Sequence, residues 1–182
     1  LDKANLTVLT GTHVNRLIVE GGKVTGVEAV RDGKTLRLRA SQEVVLSQGA
    51  IRTPKTLMLS GIGDRDHLAE HGIASRVHAP EVGRNFHDHI LHGGCIWESP
   101  EQMAHRNSGA EASGFWKSDD SLATPDLNIV QIELPYASEV VAKDYAPPNN
   151  AWALCAGLVD PKSRGHARLK SAEPADAPSV TA

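Results

Sequence analysis

Alternating apolar and polar positions dominate the start of the chain and predict a β-meander. Within Lys34–Ala40 the alternation is strict, with leucines on one face and arginines on the other. His13–Glu20 and Lys23–Arg31 are predicted as two preceding strands. Gly21-Gly22 and Asp32-Gly33 separate the three strands, and such pairs favour tight hairpin turns. Leu6–Gly11 also alternates and predicts a further strand before the meander.

A continuous apolar run, Val44–Leu46, follows the meander and predicts a strand buried on both faces, as in an α/β core. Thr53 and Pro54 then predict the N-cap and first position of a helix, and Gly61 its end. A second short helix is predicted between an Asp64 cap and Gly72, with Leu68 facing inward.

The pattern changes near residue 90, which predicts a domain boundary there. Glu98–Pro125 is polar and weakly periodic, which predicts a loop or lid, and a second loop is predicted around residues 140–150. Strands are predicted at Asp126–Tyr136, Ala151–Pro161 and His166–Ser171. The second half of the chain therefore predicts part of an antiparallel sheet.

Composition narrows the class of protein. The 182 residues are 40% hydrophobic and 23% charged with a net charge of −3, which argues against a disordered chain and against nucleic-acid binding. No apolar stretch approaches the ~20 residues of a transmembrane helix. The two cysteines lie outside any CxxC pair, which favours reduced thiols and a cytoplasmic location. Both ends interrupt a pattern, so we expect a fragment of a longer protein.

Histidines concentrate in the segment His87–His92, which also holds Asp88 and His89. Imidazole and carboxylate ligands suit zinc or iron, and His87 and His89 would share a face of a strand. A polar loop whose Asp and His side chains bond to the backbone is the alternative. The chain contains no GxSxG nucleophile motif and no GxGxxG or GxxxxGK[ST] phosphate motif.

Three segments in colinear order resemble the glucose–methanol–choline (GMC) family of FAD-dependent alcohol oxidoreductases. "GAIRTPKTLMLSGIG" (Gly49–Gly63) is similar to the second signature of that family. "VGRNFHDH" and "PKSRGHARL" are similar to two further family segments. The nearest likeness is to bacterial members that resemble choline dehydrogenase.

The resemblance implies a fold that combines α/β and α+β parts. Residues 1–90 would form part of a Rossmann-like FAD-binding domain that carries the meander, and residues 91–182 part of an antiparallel-sheet substrate domain. It also implies FAD as the cofactor. Val14 would contact the adenine through its backbone, and the small residues of the turn, Ser47, Gly49 and Ala50, would lie beside the cofactor. Asn85, Asp88 and His89 would be wall residues of the pocket.

The family's N-terminal GxGxxG and its C-terminal catalytic histidine have no counterpart in this chain. The resemblance therefore predicts no catalytic residue and no metal ligand here, and a chain that is inactive by itself. The complete protein would oxidise a primary alcohol to an aldehyde by hydride transfer to flavin. Its partners would be a small alcohol and an electron acceptor, either oxygen or a quinone-type molecule. A truncated non-catalytic module and a metal-binding protein are the alternatives.

Overall fold

The computed structural model describes residues 3–101, 108–110 and 112–182. The chain forms two compact units, and each is described separately. The first runs up to His87 and resumes with Arg164–Ala182, and the second comprises Asp88–Ser163. The change of unit at residue 88 lies close to the boundary predicted near residue 90. Residues 164–182 differ from that prediction, because they return to the first unit.

The meander of the first unit has the predicted strands and turns. Its antiparallel strands lie in the order β1-β2-β3. Their bounds are β1 Thr12–Glu20, β2 Lys23–Arg31 and β3 Lys34–Arg39. Both residues of each connecting turn have positive φ: 55° and 77° at Gly21 and Gly22, and 51° and 72° at Asp32 and Gly33. These values fit the primed hairpin turns that the sequence predicts.

Two predicted strands are absent from the described part of the chain. Neither Leu6–Gly11 nor Val44–Leu46 pairs with another strand, and the side chain of Val45 is 74% exposed. A strand needs a neighbour for its backbone N–H and C=O groups, and neither segment has one among the described residues. The prediction of a doubly buried strand at residues 44–46 is therefore wrong for this structure.

Helix α1 spans Gly49–Leu59 and begins earlier than predicted. Its N-cap is Gln48, and Pro54 lies inside the helix, where it donates no hydrogen bond. The hydroxyl of Thr53 accepts a hydrogen bond from the backbone N–H of Gln48 at 3.2 Å. This side chain therefore stabilises the start of α1 from a position inside the helix. The predicted end is confirmed, since Gly61 has φ of 84° and its N–H donates to the carbonyl of Met58.

The second predicted helix is confirmed as α2, Arg65–Glu70, which follows the two-residue strand β4, Ile62–Gly63. The carboxylate of Asp64 caps α2 by accepting the N–H groups of Asp66 and His67. Leu68 is fully buried. Met58, Leu59, Leu68 and Leu169 form the core cluster of this unit, with Ile73 and Val82 packed against it. Two short strands follow: β5 Val77–His78 and β6 Arg84–Phe86.

The second unit contains the predicted antiparallel sheet. Its strands β7, β11, β10 and β9 are neighbours in that order, and β8 also pairs with β11. Their bounds are β7 Ile90–His92, β8 Ile96–Glu98, β9 Ala112–Trp116, β10 Leu127–Ile132 and β11 Ala151–Leu158.

Two segments of this unit that were predicted as loops contain regular elements. Strand β9 lies within the polar segment 98–125, of which residues 102–107 and 111 lie outside the described residues. Helix α3, Glu139–Tyr145, occupies the predicted loop near residue 140. Its side chains are not buried, and the hydroxyl of Ser138 caps it by accepting the N–H of Val141. This helix has no strong apolar stripe, and the cap at its N-terminus is what marks its start.

The chain returns to the first unit through β12, Gly165–Arg168, and β13, Ser179–Thr181. β12 pairs with both β13 and β6, so the C-terminal segment forms a three-stranded sheet with residues 84–86. Among the described residues, no helix combines the length and the apolar character that crossing a bilayer requires.

Candidate functional site

The N-terminus of α1 separates two clefts of the first unit. The Gly49 cleft has a volume of about 480 Å³, and the Val14 cleft about 340 Å³. The Gly49 cleft is lined by Gly49, Ala50, Thr53, Pro54, Leu57 and residues 82–87. The Val14 cleft is lined by residues 12–14, Gln48, Ile51, Arg52, Lys55, Thr56, Leu59, Pro174, Ala175, Ala177 and Pro178. A molecule that crosses the first turn of α1 would therefore contact both.

Three of the predicted site residues meet in the Gly49 cleft: Gly49, Ala50 and Asn85. Gly49 has φ of 79°, and a Cβ built there would meet no atom of the chain within 4 Å. Its conformation therefore needs glycine, and the space beside it is open to a ligand. Asn85 is also left-handed, with φ of 57°, which asparagine tolerates better than most residues.

Val14 lies on the far side of the α1 terminus, in the Val14 cleft. It belongs to β1, which is the edge strand of the meander. The edge is anchored to α1 by Ser60, whose hydroxyl accepts the N–H of Leu17 at 2.8 Å and donates to the carbonyl of Thr56. The first of these buried bonds joins β1 to the C-terminal end of α1, and the second holds the Ser60 hydroxyl in position.

Basic side chains supply the charge of the Val14 cleft. Lys55 is buried, and its ammonium donates to the carbonyls of Pro174 and Asp176 at 2.7 and 2.5 Å. Burial lowers the pKa of Lys55, the neighbouring Arg52 lowers it further, and Asp176 opposes the shift. The positive charge of Lys55 therefore has carbonyl partners in the C-terminal segment. Arg52 adds a second positive charge to the lining of this cleft.

Gln48 is the residue of this region that sequence reasoning missed. It lines the Val14 cleft, and its side-chain Oε1 is buried with no hydrogen-bond partner in the described structure. The sequence offered one signal for this position, because Gln48 is a long amide side chain among the small residues Ser47, Gly49 and Ala50.

The remaining predicted site residues lie elsewhere. Ser47 is exposed and lines neither the Gly49 cleft nor the Val14 cleft. Asp88 and His89 are exposed residues at the start of the second unit, and the Asp88 carboxylate accepts the N–H of His89 at 2.9 Å. This bond is the one expected of a polar loop. Of the histidine-rich segment, His87 lines the Gly49 cleft.

Among the described residues, three side chains with metal-ligand chemistry come together, but in α2 and its C-cap rather than at residues 87–92. They are His67, Glu70 and His71. The N–H of Leu169 donates to Nε2 of His67 at 3.1 Å, so that nitrogen carries no proton. Nδ1 of the neutral ring then holds the proton and donates to Glu70 at 3.1 Å. Both nitrogens of this buried histidine are engaged, so its role in this arrangement is to join α2 to Leu169.

The "VGRN" segment has a structural role at a third cleft, of about 320 Å³. Gly83 accepts the N–H of Ala167 at 2.7 Å, which brings two backbones into contact. Arg84 pairs with Asp64 at 3.5 Å, and thereby connects β6 to the cap of α2. Hydrogen bonds from the backbone of His67 and of Asp66 lower the pKa of Asp64, and Arg84 adds to this effect.

Comparison with known proteins identifies the family. Residues 1–91 match the GMC oxidoreductase family. A GMC-type oxidoreductase of Mycobacterium tuberculosis is 39% identical over 94% of the chain and 35% of its own length. Choline oxidase of Arthrobacter globiformis is 37% identical over 99% of the chain and 34% of its own length.

The structural comparison agrees. Pyridoxine 4-oxidase from Mesorbium loti superposes with a TM-score of 0.83 at 30% identity, over 99% of this chain and 35% of that one. Formate oxidase gives a TM-score of 0.80 at 24% identity, over 98% of this chain and 40% of that one, which shows a shared fold. The chain thus spans about a third of the length of the curated relatives it matches. This chain belongs to the GMC oxidoreductase family.

Proposed function

We propose that this chain is the central part of an FAD-dependent enzyme that oxidises a primary alcohol to an aldehyde. Membership of the GMC oxidoreductase family supports oxidoreductase chemistry. Choline oxidase and pyridoxine 4-oxidase are among the similar proteins, and choline and pyridoxine both carry a CH2–OH group. The structurally similar formate oxidase of Aspergillus oryzae carries an FAD that undergoes modification. In this proposal the first unit belongs to the cofactor domain and the second to the substrate domain.

The position of the α1 terminus between the Gly49 and Val14 clefts carries the proposal. The residues that line the two clefts fit parts of this cofactor. Gly49 and Ala50 offer backbone N–H groups without a bulky side chain, and Val14 offers the edge-strand backbone. The first turn of α1 has no acidic residue, so its positive dipole end favours a phosphate group. When bound, FAD supplies the acceptor for the substrate hydride.

The chain's own residues would bind and position the cofactor in this proposal, and none is assigned proton transfer. Asn85 would belong to the cofactor wall, and its position in the Gly49 cleft with Gly49 and Ala50 supports this role. Ser47, Asp88 and His89 stay sequence predictions. Oxygen or a quinone-type molecule is proposed as the electron acceptor. A cytoplasmic location is proposed because both cysteines are free.

The test is a flavin assay on the complete gene product. Purified protein is expected to show the visible absorption bands of oxidised flavin. Choline and other primary alcohols, added without oxygen, are expected to bleach those bands. Readmitting oxygen or a soluble quinone then identifies the acceptor. A colourless protein that takes up no added FAD would exclude the proposal, whereas flavin that no alcohol reduces would exclude the alcohol substrate alone.

A further inference from the structure

The segment between β12 and β13 forms one wall of the Val14 cleft. We call residues 171–178 of this segment the strap. Four of its residues line the cleft: Pro174, Ala175, Ala177 and Pro178. Val14 lines the same cleft from strand β1. The strap therefore shares a cleft with the residue predicted to contact adenine, although the two lie near opposite ends of the chain.

A single side chain bonds the strap to α1. Lys55 is 8% exposed, and its ammonium donates to the carbonyls of Pro174 and Asp176 at 2.7 and 2.5 Å. Within the described part of the chain, these are the hydrogen bonds that join the strap to α1. Hydrogen bonds from a charged donor are stronger than those between neutral groups. The position of this cleft wall therefore depends on Lys55.

The charge of Lys55 is unfavourable for packing alone. Burial lowers the pKa of this ammonium, because the charged form is less stable away from water. An apolar side chain of similar length would pack α1 against the strap without that desolvation. The ammonium adds direction instead, since its two bonds fix two points of the strap backbone.

The strap also has a brace of its own. The hydroxyl of Ser171 donates to the carboxylate of Asp176 at 2.6 Å and accepts the N–H of Glu173 at 3.0 Å. Ser171 lies outside the lining of the Val14 cleft. A change at Ser171 therefore loosens the strap without altering the charge or the lining of the cleft.

We propose that Lys55 is a positioning residue that holds the strap against the adenosine end of FAD. This inference rests on the proposed function, in which the Val14 cleft takes that end of the cofactor. A wall that is fixed before the ligand arrives loses less conformational entropy on binding, so the ligand binds more tightly. Lys55 acts through the strap in this proposal and needs no contact with the cofactor.

The first experiment measures FAD affinity on the complete gene product, freed of flavin. Flavin fluorescence gives the dissociation constant for the native protein and each variant. Lys55→Met removes the two bonds and keeps an apolar chain, and it is expected to weaken FAD binding about tenfold. Ser171→Ala leaves Lys55 in place and is expected to weaken it about threefold or more. Lys170→Met removes an exposed lysine outside the cleft lining and is expected to leave the constant unchanged.

The second experiment measures hydrogen exchange of the strap amides with and without FAD. In the native protein, FAD is expected to slow exchange in the peptide that contains residues 175–177, because the cofactor covers this wall. In Ser171→Ala the same peptide is expected to exchange faster before FAD is added. A merely structural role of the strap would not place a cofactor-dependent change there.

The outcomes separate the two proposals. FAD binding that is native in both Lys55→Met and Ser171→Ala overturns the role of Lys55, as does strap exchange that FAD leaves unchanged. Weakening in Lys55→Met alone overturns it too, because the charge and not the strap would then determine affinity. Equal weakening in Lys170→Met has the same meaning. If Lys55→Met fails to fold, Ser171→Ala and the exchange experiment still decide. A native protein that takes up no FAD overturns the proposed function itself.

Discussion

The carbonyl oxygen of Ala167 occupies the space that a side chain at Gly83 would need. A Cβ built on Gly83 would lie 2.1 Å from that oxygen, and Gly83 has φ of 81°. A hydrogen bond also joins the two segments, because the N–H of Ala167 donates to the carbonyl of Gly83. The glycine of the "VGRN" segment therefore serves backbone contact between residues 80–86 and the returning strand β12.

Gly83→Ala is expected to destabilise the first unit strongly. The left-handed conformation costs about 1–2 kcal/mol, and the forced separation from Ala167 costs about 2 kcal/mol more. Gly22→Ala is the matched control, since Gly22 has φ of 77° but open space around its Cβ. Urea unfolding of the three proteins measures the difference. Equal losses for the two variants would show that the contact with Ala167 contributes nothing.

Asp64→Asn is expected to change how stability depends on pH. The backbone bonds that Asp64 accepts lower the pKa of its carboxyl in the folded protein. The stabilisation is therefore complete above the ordinary aspartate pKa of about 3.9 and is lost as the pH falls through the lowered value. Asparagine still accepts N–H groups as an N-cap but does not titrate.

Thermal unfolding at about pH 7 and about pH 3 tests this expectation. The native protein should have the higher midpoint at the higher pH, because only its carboxylate carries the charge that the backbone N–H groups and Arg84 stabilise, and the two midpoints should converge at the lower pH. Asp32→Asn, in a hairpin turn that accepts asparagine, is the control. A native protein and an Asp64→Asn variant with parallel pH profiles would contradict the assignment.

Gly49→Ala is expected to separate cofactor binding from stability. Its Cβ would meet no atom of the chain, so the loss of stability should be only the left-handed strain of about 1–2 kcal/mol. Gly33→Ala, with φ of 72° and open space, should lose the same amount. Flavin affinity should fall about tenfold or more in Gly49→Ala alone, because the added methyl group enters the proposed cofactor cleft. Unchanged affinity would remove Gly49 from the cofactor site.

The two cysteines are expected to react at very different rates. Cys95 is exposed and Cys155 is buried. Burial raises the pKa of the Cys155 thiol, and Cys95 adds to the shift, so Cys155 holds less of the reactive thiolate at any given pH. Brief alkylation at about pH 8, followed by mass spectrometry of the two peptides, should label Cys95 in the native protein and Cys155 only in denaturant. Rapid labelling of Cys155 in the native protein would show that solvent reaches strand β11 at this position.

The sequence predicts best where one residue determines the local conformation. Hairpin turns follow from Gly21-Gly22 and Asp32-Gly33, and the start and end of α2 follow from Asp64 and Gly72, because caps and positive φ are local effects. The strand prediction at Val44–Leu46 depends on neighbours that no local pattern supplies. α1 begins at Gly49 because a glycine at positive φ leads into it, although Pro54 suggests a later start.

The candidate site shows the same division. Small residues and a glycine suffice to predict that Gly49 and Ala50 approach a ligand, and the structure places them in one cleft with Asn85. That Gln48 lies on the other side of the same helical turn, with its oxygen unpartnered, depends on the packing of α1 against β1 and the C-terminal segment. Such packing joins residues far apart in sequence, so no short pattern predicts it.

The bond between Lys55 and Pro174 has a consequence for the order of folding. The two residues are 119 positions apart, and the whole of the second unit lies between them in the chain. During synthesis α1 therefore emerges long before the carbonyls that its buried ammonium requires. Closing this contact carries the loop entropy of all the intervening residues, which slows assembly of the first unit. Until then, the nascent chain carries Lys55 without the C-terminal carbonyls that hold its charge in the finished fold.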